Sequence, residues 1–245
     1  GAAFFPTAAM FLFFALPCFF FVKDPKMISR GRVRVLEAFH ALKQTLTHVK
    51  QYRLLFKFII IHFIVLDVVN TIIAFMAIYA NKVIGFDNNQ ITNFLITSTV
   101  FAMIGSYFIG ILVNRKGSVW SYWLVLGLWI AALTVTVLSV SPLMFWVVGP
   151  LAGVGMGGVW VVSRVLLIEL SPKDKVGEFF GLYGMAGKLA SVLGPLLWGS
   201  IVFMLQSTET LKYRAAVFAL LIIVLIGSWL FRSLQKEMAA APAEA

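Results

Sequence analysis

Apolar runs long enough to cross a bilayer recur along the whole chain. A membrane helix needs about 20 apolar residues to span roughly 30 Å of hydrocarbon. Seven stretches meet that length, at about 3–22, 54–80, 91–113, 119–140, 142–168, 178–204 and 212–232. Backbone polar groups in lipid must bond within their own segment, so the fold class is all-α, a polytopic membrane helix bundle. Hydrophobic residues make up 61% of the chain and charged ones 12%, which leaves too few polar residues to coat a soluble domain. The first run has no basic lead and no small-residue cleavage site behind it, so it reads as a membrane helix and not a signal peptide. The chain enters this run directly, and the expectation is that further helices precede it. The single cysteine, Cys18, permits no internal disulfide.

Charge sets the orientation. The segment Lys23–Arg53 holds eight lysines and arginines against Asp24 and Glu37. In an alternating topology Arg115, Lys116, Lys173, Lys175, Arg232 and Lys236 fall on that same side, while the other side carries Lys82, Lys212 and Arg214. Basic loops stay in the cytoplasm, so the Lys23–Arg53 side is expected to be cytoplasmic. The net charge of +10 is then a topology signal, and no nucleic-acid partner is expected. Within this segment Val35, Leu36, Phe39, Leu42, Leu46 and Val49 recur at three- and four-residue intervals. The pattern predicts an amphipathic helix on the membrane surface or beneath the bundle, serving as a linker or as a basic regulatory target. His40, His48 and His62 have no metal-ligand spacing, and no metal or cofactor is expected. Membrane depth holds no Ser–His, paired-carboxylate or His/Cys constellation, so an enzyme is not predicted.

Two charges lie inside the apolar runs. Lys188 falls within the otherwise uncharged stretch Phe179–Leu205, and Asp67 within the second run. Gly181, Gly184, Ser191 and Pro195 share a helical face with Lys188. Small residues mark close helix contact, so Lys188 is predicted to face a bundle interior. Asp67 and Lys188 sit roughly 20 and 15 Å into their helices from the cytoplasmic side. Matched depth predicts an ion pair, with Asn70 and Thr71 extending the polar face of Asp67. Intramembrane charges mark substrate and ion paths, and the alternative is a structural pair that only fixes packing. Arg164, Glu169 and Glu178 gather near the cytoplasmic ends of the fifth and sixth of the seven runs. They read as a gate network, or as snorkelling and helix-end charges. Gly149-Pro150 and Gly194-Pro195 are expected to kink their helices.

Two motifs add a resemblance. Gly110-Ile-Leu-Val-Asn114-Arg115-Lys116-Gly117 resembles the G-x-L-x-D-R-x-G-R loop between paired helices in the major facilitator superfamily. Asn114 stands where that pattern has Asp, and Ser118 where it has a basic residue, so the usual charge clamp to a neighbouring helix end is altered. The stretch from Ser163-Arg164 through Leu170-Ser171-Pro172, Lys175-Val-Gly177-Glu178-Phe-Phe-Gly181-Leu-Tyr183, Gly187-Lys188 and Leu193-Gly194-Pro195-Leu-Leu-Trp-Gly199 resembles the autophagy-related vacuolar amino-acid effluxer branch. Asp67, Asn70 and the glycines from Gly153 to Gly158 extend the likeness.

The resemblance implies a major-facilitator-type C-terminal six-helix half at 54–232, a central cytoplasmic linker at 23–53 and a cytoplasmic tail at 233–245. Residues 1–22 would be the last helix of a truncated N-terminal half. Such halves are built from inverted three-plus-three repeats, and Gly105/Gly110 and Gly194/Gly199 occupy comparable places in the two trios. The implied activity is secondary active transport of small polar solutes, amino acids among them, by alternating access. Asp67, Asn70, Thr71 and Lys188 would line the substrate or proton path, and Arg115, Arg164, Glu169 and Glu178 the cytoplasmic gate. The partners would be the bilayer, the N-terminal half, a small-molecule substrate and protons. The location would be a bacterial inner membrane or a vacuolar-type one. Two other readings stay open: a non-transporting scaffold or receptor with structural charges, and a self-assembling half-transporter.

Overall fold

The computed structural model describes residues 4–21 and 52–240. They fall in two units, Gly1–Ala41 and Leu42–Ala245. In the first unit α1 spans Phe4–Phe21 with Pro17 inside it. The amphipathic stretch expected between Val35 and Val49 lies outside the described residues. The second unit holds α2 (Arg53–Tyr79), α3 (Asn88–Lys116), α4 (Ser118–Leu138), α5 (Pro142–Trp146), α6 (Val148–Leu170), α7 (Val176–Met204) and α8 (Leu211–Ala240). With α5 and α6 forming one span, seven helices among the described residues are long and apolar enough to cross a membrane. The described residues contain no strand. The chain is an integral, multi-pass membrane protein.

Local chemistry explains where the helices break. Helix α2 runs on through a π turn at Ala80–Ile84 and stops at Gly85, whose φ of 83° is left-handed. The Phe86 amide then reaches back to the Ala80 carbonyl at 3.0 Å, closing the helix end as glycine-terminated helices do. Asp87 caps α3 reciprocally with Gln90, through bonds of 2.7 and 3.0 Å. This capping box starts α3 three residues before the apolar run that predicts it. Pro150 stands in the first turn of α6, where its missing N–H has no helical partner to lose. The expected mid-helix kink there is instead a break between α5 and α6. Helix α8 continues past Arg232 to Ala240, because Leu234 is buried and Glu237 pairs with Lys57 at 2.6 Å.

Contacts at the helix ends fix the directions. The Tyr79 hydroxyl donates to the Thr136 carbonyl at 2.8 Å, and Arg214 donates to the carbonyls of Val137 and Ser139 at 2.6 Å each. The ends of α2 and α4 therefore lie beside the start of α8. At the other, basic end, Lys57 meets Glu237 and Trp123 donates to Gln235 at 2.8 Å. Successive helices thus alternate in direction.

The packing pairs reveal the repeat. Helix α2 packs on α7 and α8, α6 packs on α3 and α4, and α4 packs on α8. Exchanging α2 with α6, α3 with α7 and α4 with α8 leaves this pattern unchanged. Since α2 starts at the basic end and α6 at the opposite one, the two trios are inverted copies. Equivalent glycines mark the equivalent crossings. A Cβ on Gly105 of α3 would lie 2.7 Å from the Val154 Cα of α6, and one on Gly194 of α7 would strike α2. Along the α3–α6 crossing, Gly153 and Gly157 press directly on the backbone carbonyls of Ser98 and Ala102, the close approach that small residues allow between membrane helices.

Candidate functional site

The α2–α7 crossing gathers most of the intramembrane polar groups singled out in the sequence. Pro195 has no N–H and crowds the carbonyl one turn earlier, loosening the α7 ladder at that point. Beside this proline, Asp67 Oδ1 accepts the Gly194 amide at 2.7 Å across the helices. The Thr71 hydroxyl donates to the Asp67 carbonyl at 2.6 Å, and Asn70 Nδ2 donates to Ser191 Oγ at 3.1 Å. Asp67 is 6% exposed and Thr71 fully buried. The Gly194 amide gives this buried side chain the hydrogen-bond partner that a buried polar group needs.

The expected Asp67–Lys188 ion pair is not formed. Asp67 has turned to Gly194, while Lys188 is exposed and makes no ion pair among the described residues. The reason lies in which face of α7 packs. Phe179, Tyr183, Ala190, Gly194 and Trp198 are buried, and Gly187 abuts Leu66 of α2. The stripe of Gly181, Gly184, Lys188 and Ser191 lies one position round the helix and is exposed. A Cβ on Gly181 or Gly184 would meet nothing within 4 Å. Lys188 therefore does not face the interior of this six-helix unit.

The four gate candidates share the basic end, but their bonds run to different partners. Glu169, at the end of α6, accepts a hydrogen bond from Ser118 at the start of α4. That hydroxyl ties these two helix ends together. Arg164 lies with its guanidinium 5.9 Å from the Trp160 ring and beside the Tyr183 hydroxyl. Arg115 is exposed in the last turn of α3, and Glu178 stands in the first turn of α7 near Lys175. A hydrogen bond with the Tyr52 hydroxyl pushes the pKa of Lys175 above the ordinary lysine value.

Sequence reasoning missed a second buried cluster. His62 is fully buried and stacks on Tyr183, with ring centroids 4.5 Å apart. Nothing in a lone histidine's spacing marks such a contact. It also missed a pocket of about 340 Å³ between α2, α3, α4 and α6, lined by Ile72, Met76, Phe94, Trp129 and Met156 with Ser98 and Thr99 at its wall. The described residues contain no group of histidine, cysteine and carboxylate side chains able to hold a metal.

Inverted three-helix trios, crossing at matched glycines and carrying charges at mid-depth, are the build of a major-facilitator-type six-helix half. The comparisons place it more closely. The sequence model described as "Vacuole effluxer Atg22 like" matches residues 2–244, and the chain belongs to that family. It is 31% identical over 225 residues to the MFS-type transporter YxiO of Bacillus subtilis, covering 92% of this chain and 51% of that protein. It is 24% identical over 209 residues to autophagy-related protein 22 of Kluyveromyces lactis, covering 81% and 42%. A multi-drug resistance efflux pump PmrA homolog of Lactococcus lactis is 26% identical over 230 residues, covering 91% and 53%. The chain thus spans about half the length of the curated relatives it matches.

Proposed function

We propose that the complete protein is a secondary transporter that moves small polar solutes, amino acids among them, by alternating access driven by protons. Family membership supports the transport class, and the exposed Lys188 carries the site assignment. Lys188 lies 12 residues, roughly 18 Å, from the start of α7. A lysine at that depth is costly in lipid, so its face meets water or protein in the assembled protein. Gly181 and Gly184 leave room beside it. The Asn70–Ser191 pair, one turn further along α7, adds neutral hydrogen-bonding groups. A cation with neutral donors and acceptors next to it suits the carboxylate of an amino acid.

Asp67 takes a different role from the one its charge suggests. It positions α7 by holding the backbone at Gly194, while Lys188 meets the solute. Movement of α7 against α2 would then alter access to the Lys188 face. The test is uptake of radiolabelled amino acids by proteoliposomes containing the complete protein, with and without an imposed pH gradient. Accumulation that follows the gradient is expected. Folded protein that supports neither uptake nor exchange would overturn the reading in favour of a scaffold.

A further inference from the structure

His62 plays no part in that site, yet its surroundings are unusual for a core residue. It lies on α2 about 13 Å from the start of the helix. It is 0% exposed, and neither ring nitrogen has a hydrogen-bond partner. The ring is stacked between Tyr183 of α7, at 4.5 Å and 11°, and Phe58 of its own helix, at 6.0 Å and 24°. The Tyr183 hydroxyl shares a 2.8 Å hydrogen bond with Ser163 of α6, and the Arg164 guanidinium lies beside it. Tyr122 of α4 meets Phe58 at 5.8 Å with its own hydroxyl buried and unpartnered, and Phe231 of α8 closes over Tyr122 at 4.5 Å. The titratable and charged groups around the ring are thus Tyr183, Tyr122 and Arg164. The carboxylate of Asp67, five residues along α2, is held by Gly194.

We propose that His62 is a proton-binding site that links acidification to separation of α7 from α2. A phenylalanine would fill the same stack with no unpaired nitrogen, so packing alone does not call for histidine. In the closed arrangement a neutral ring is accommodated. An imidazolium would bring a charge and two donors to a buried place where neither ring nitrogen has a partner. Only when α7 moves away does the ring reach water, where it titrates near 6.5. Protons therefore bind the open form. The closed form is favoured above that value and loses ground as pH falls through it. The open-to-closed ratio scales as the proton occupancy of a group of pKa 6.5, and it rises about 30-fold from pH 8 to pH 5.

The inference goes beyond the transport reading, and its readout needs no substrate. Leu66 is fully buried and faces Gly187 across the α2–α7 contact. In the complete protein with Cys18→Ser, labelling of Leu66→Cys by a water-soluble methanethiosulfonate reports opening, normalised to Asn88→Cys on the exposed start of α3. Normalised labelling should rise about 30-fold from pH 8 to pH 5 and stay flat when His62→Phe is added. The same rise with His62→Phe, or no rise with His62 present, overturns the proposal. Histidine-selective 15N NMR of the protein without His62→Phe gives a second measure that no variant's folding can confound. An imidazolium at position 62 should appear in step with labelling, and a ring still neutral at pH 5 while labelling rises contradicts the link.

Discussion

Gly194→Ala, alone and with Thr71→Ala, probes the α2–α7 crossing most sharply. A Cβ at residue 194 would fall inside contact distance of Thr71 Oγ1 and 2.9 Å from both Asp67 O and Asp67 Oδ2, where real Cβ atoms essentially never come under 3.0 Å. The Thr71 hydroxyl is not free to turn aside, since it is bonded to the Asp67 carbonyl at 2.6 Å. The methyl group must therefore push the helices apart and stretch the 2.7 Å bond from the Gly194 amide to Asp67. Overpacking costs about 1–3 kcal/mol, and a hydrogen bond to a charged group contributes about 1.5–3 kcal/mol. Partial loss of the bond on top of the clash gives about 2–4 kcal/mol for Gly194→Ala. Thr71→Ala alone removes one neutral hydroxyl bond back to its own helix and should cost no more than about 1 kcal/mol. Together the two changes should recover more than about 1 kcal/mol, because the worst overlap disappears and a carboxylate oxygen can rotate. Unfolding of the complete protein in bicelles measures all three variants. Gly194→Ala as stable as the native chain, or a double variant no better than Gly194→Ala, would refute the tight crossing.

Gly157→Ala should be at least as damaging, since its Cβ would press on the Ala102 carbonyl of α3 and lie 3.1 Å from the Ser106 amide nitrogen. A sharp fall in folded yield checks this, and native yield contradicts it. Arg214→Met strips two charged donors from the last carbonyls of α4 and should lower stability by at least about 1.5 kcal/mol, with Arg214→Lys intermediate, read as the shift in thermal unfolding. Asn88→Cys in a Cys18→Ser background should be labelled by an impermeant thiol reagent from the non-cytoplasmic face, and labelling from the cytoplasm would break the helix count.

Fold class was legible because lipid leaves so few options: each apolar run of membrane length became helical, one of them broken into α5 and α6, with boundaries off by a few residues except at the end of α8. The misses have local causes. The Asp87–Gln90 capping box moved the start of α3 before its first apolar residue, and the pairing of Lys57 with Glu237 carried α8 beyond its apolar run. The inverted repeat was only hinted at by glycine positions, and it became plain once Gly105 and Gly194 were seen at equivalent crossings. The site was read less well. Asp67, Asn70 and Thr71 meet at one crossing with α7, but the depth that paired Asp67 with Lys188 says nothing of azimuth. The glycine stripe suggested a buried Lys188, whereas the aromatic stripe through Tyr183 and Trp198 is the face that packs. Asp67 found a backbone amide on the neighbouring helix, that of Gly194, and single-residue spacing does not encode such a contact. His62 escaped notice because its significance lies in what stacks on it from a helix more than a hundred residues away.

Lys188 is where the account is most exposed to test. Equilibrium exchange of radiolabelled amino acids, measured on matched amounts of folded complete protein, should fall at least tenfold with Lys188→Met, equivalent to about 1.4 kcal/mol of lost interaction. Lys188→Arg should retain part of the exchange, because the positive charge remains. Undiminished exchange with Lys188→Met, in protein shown to transport before substitution, would contradict the assignment of Lys188 to the solute.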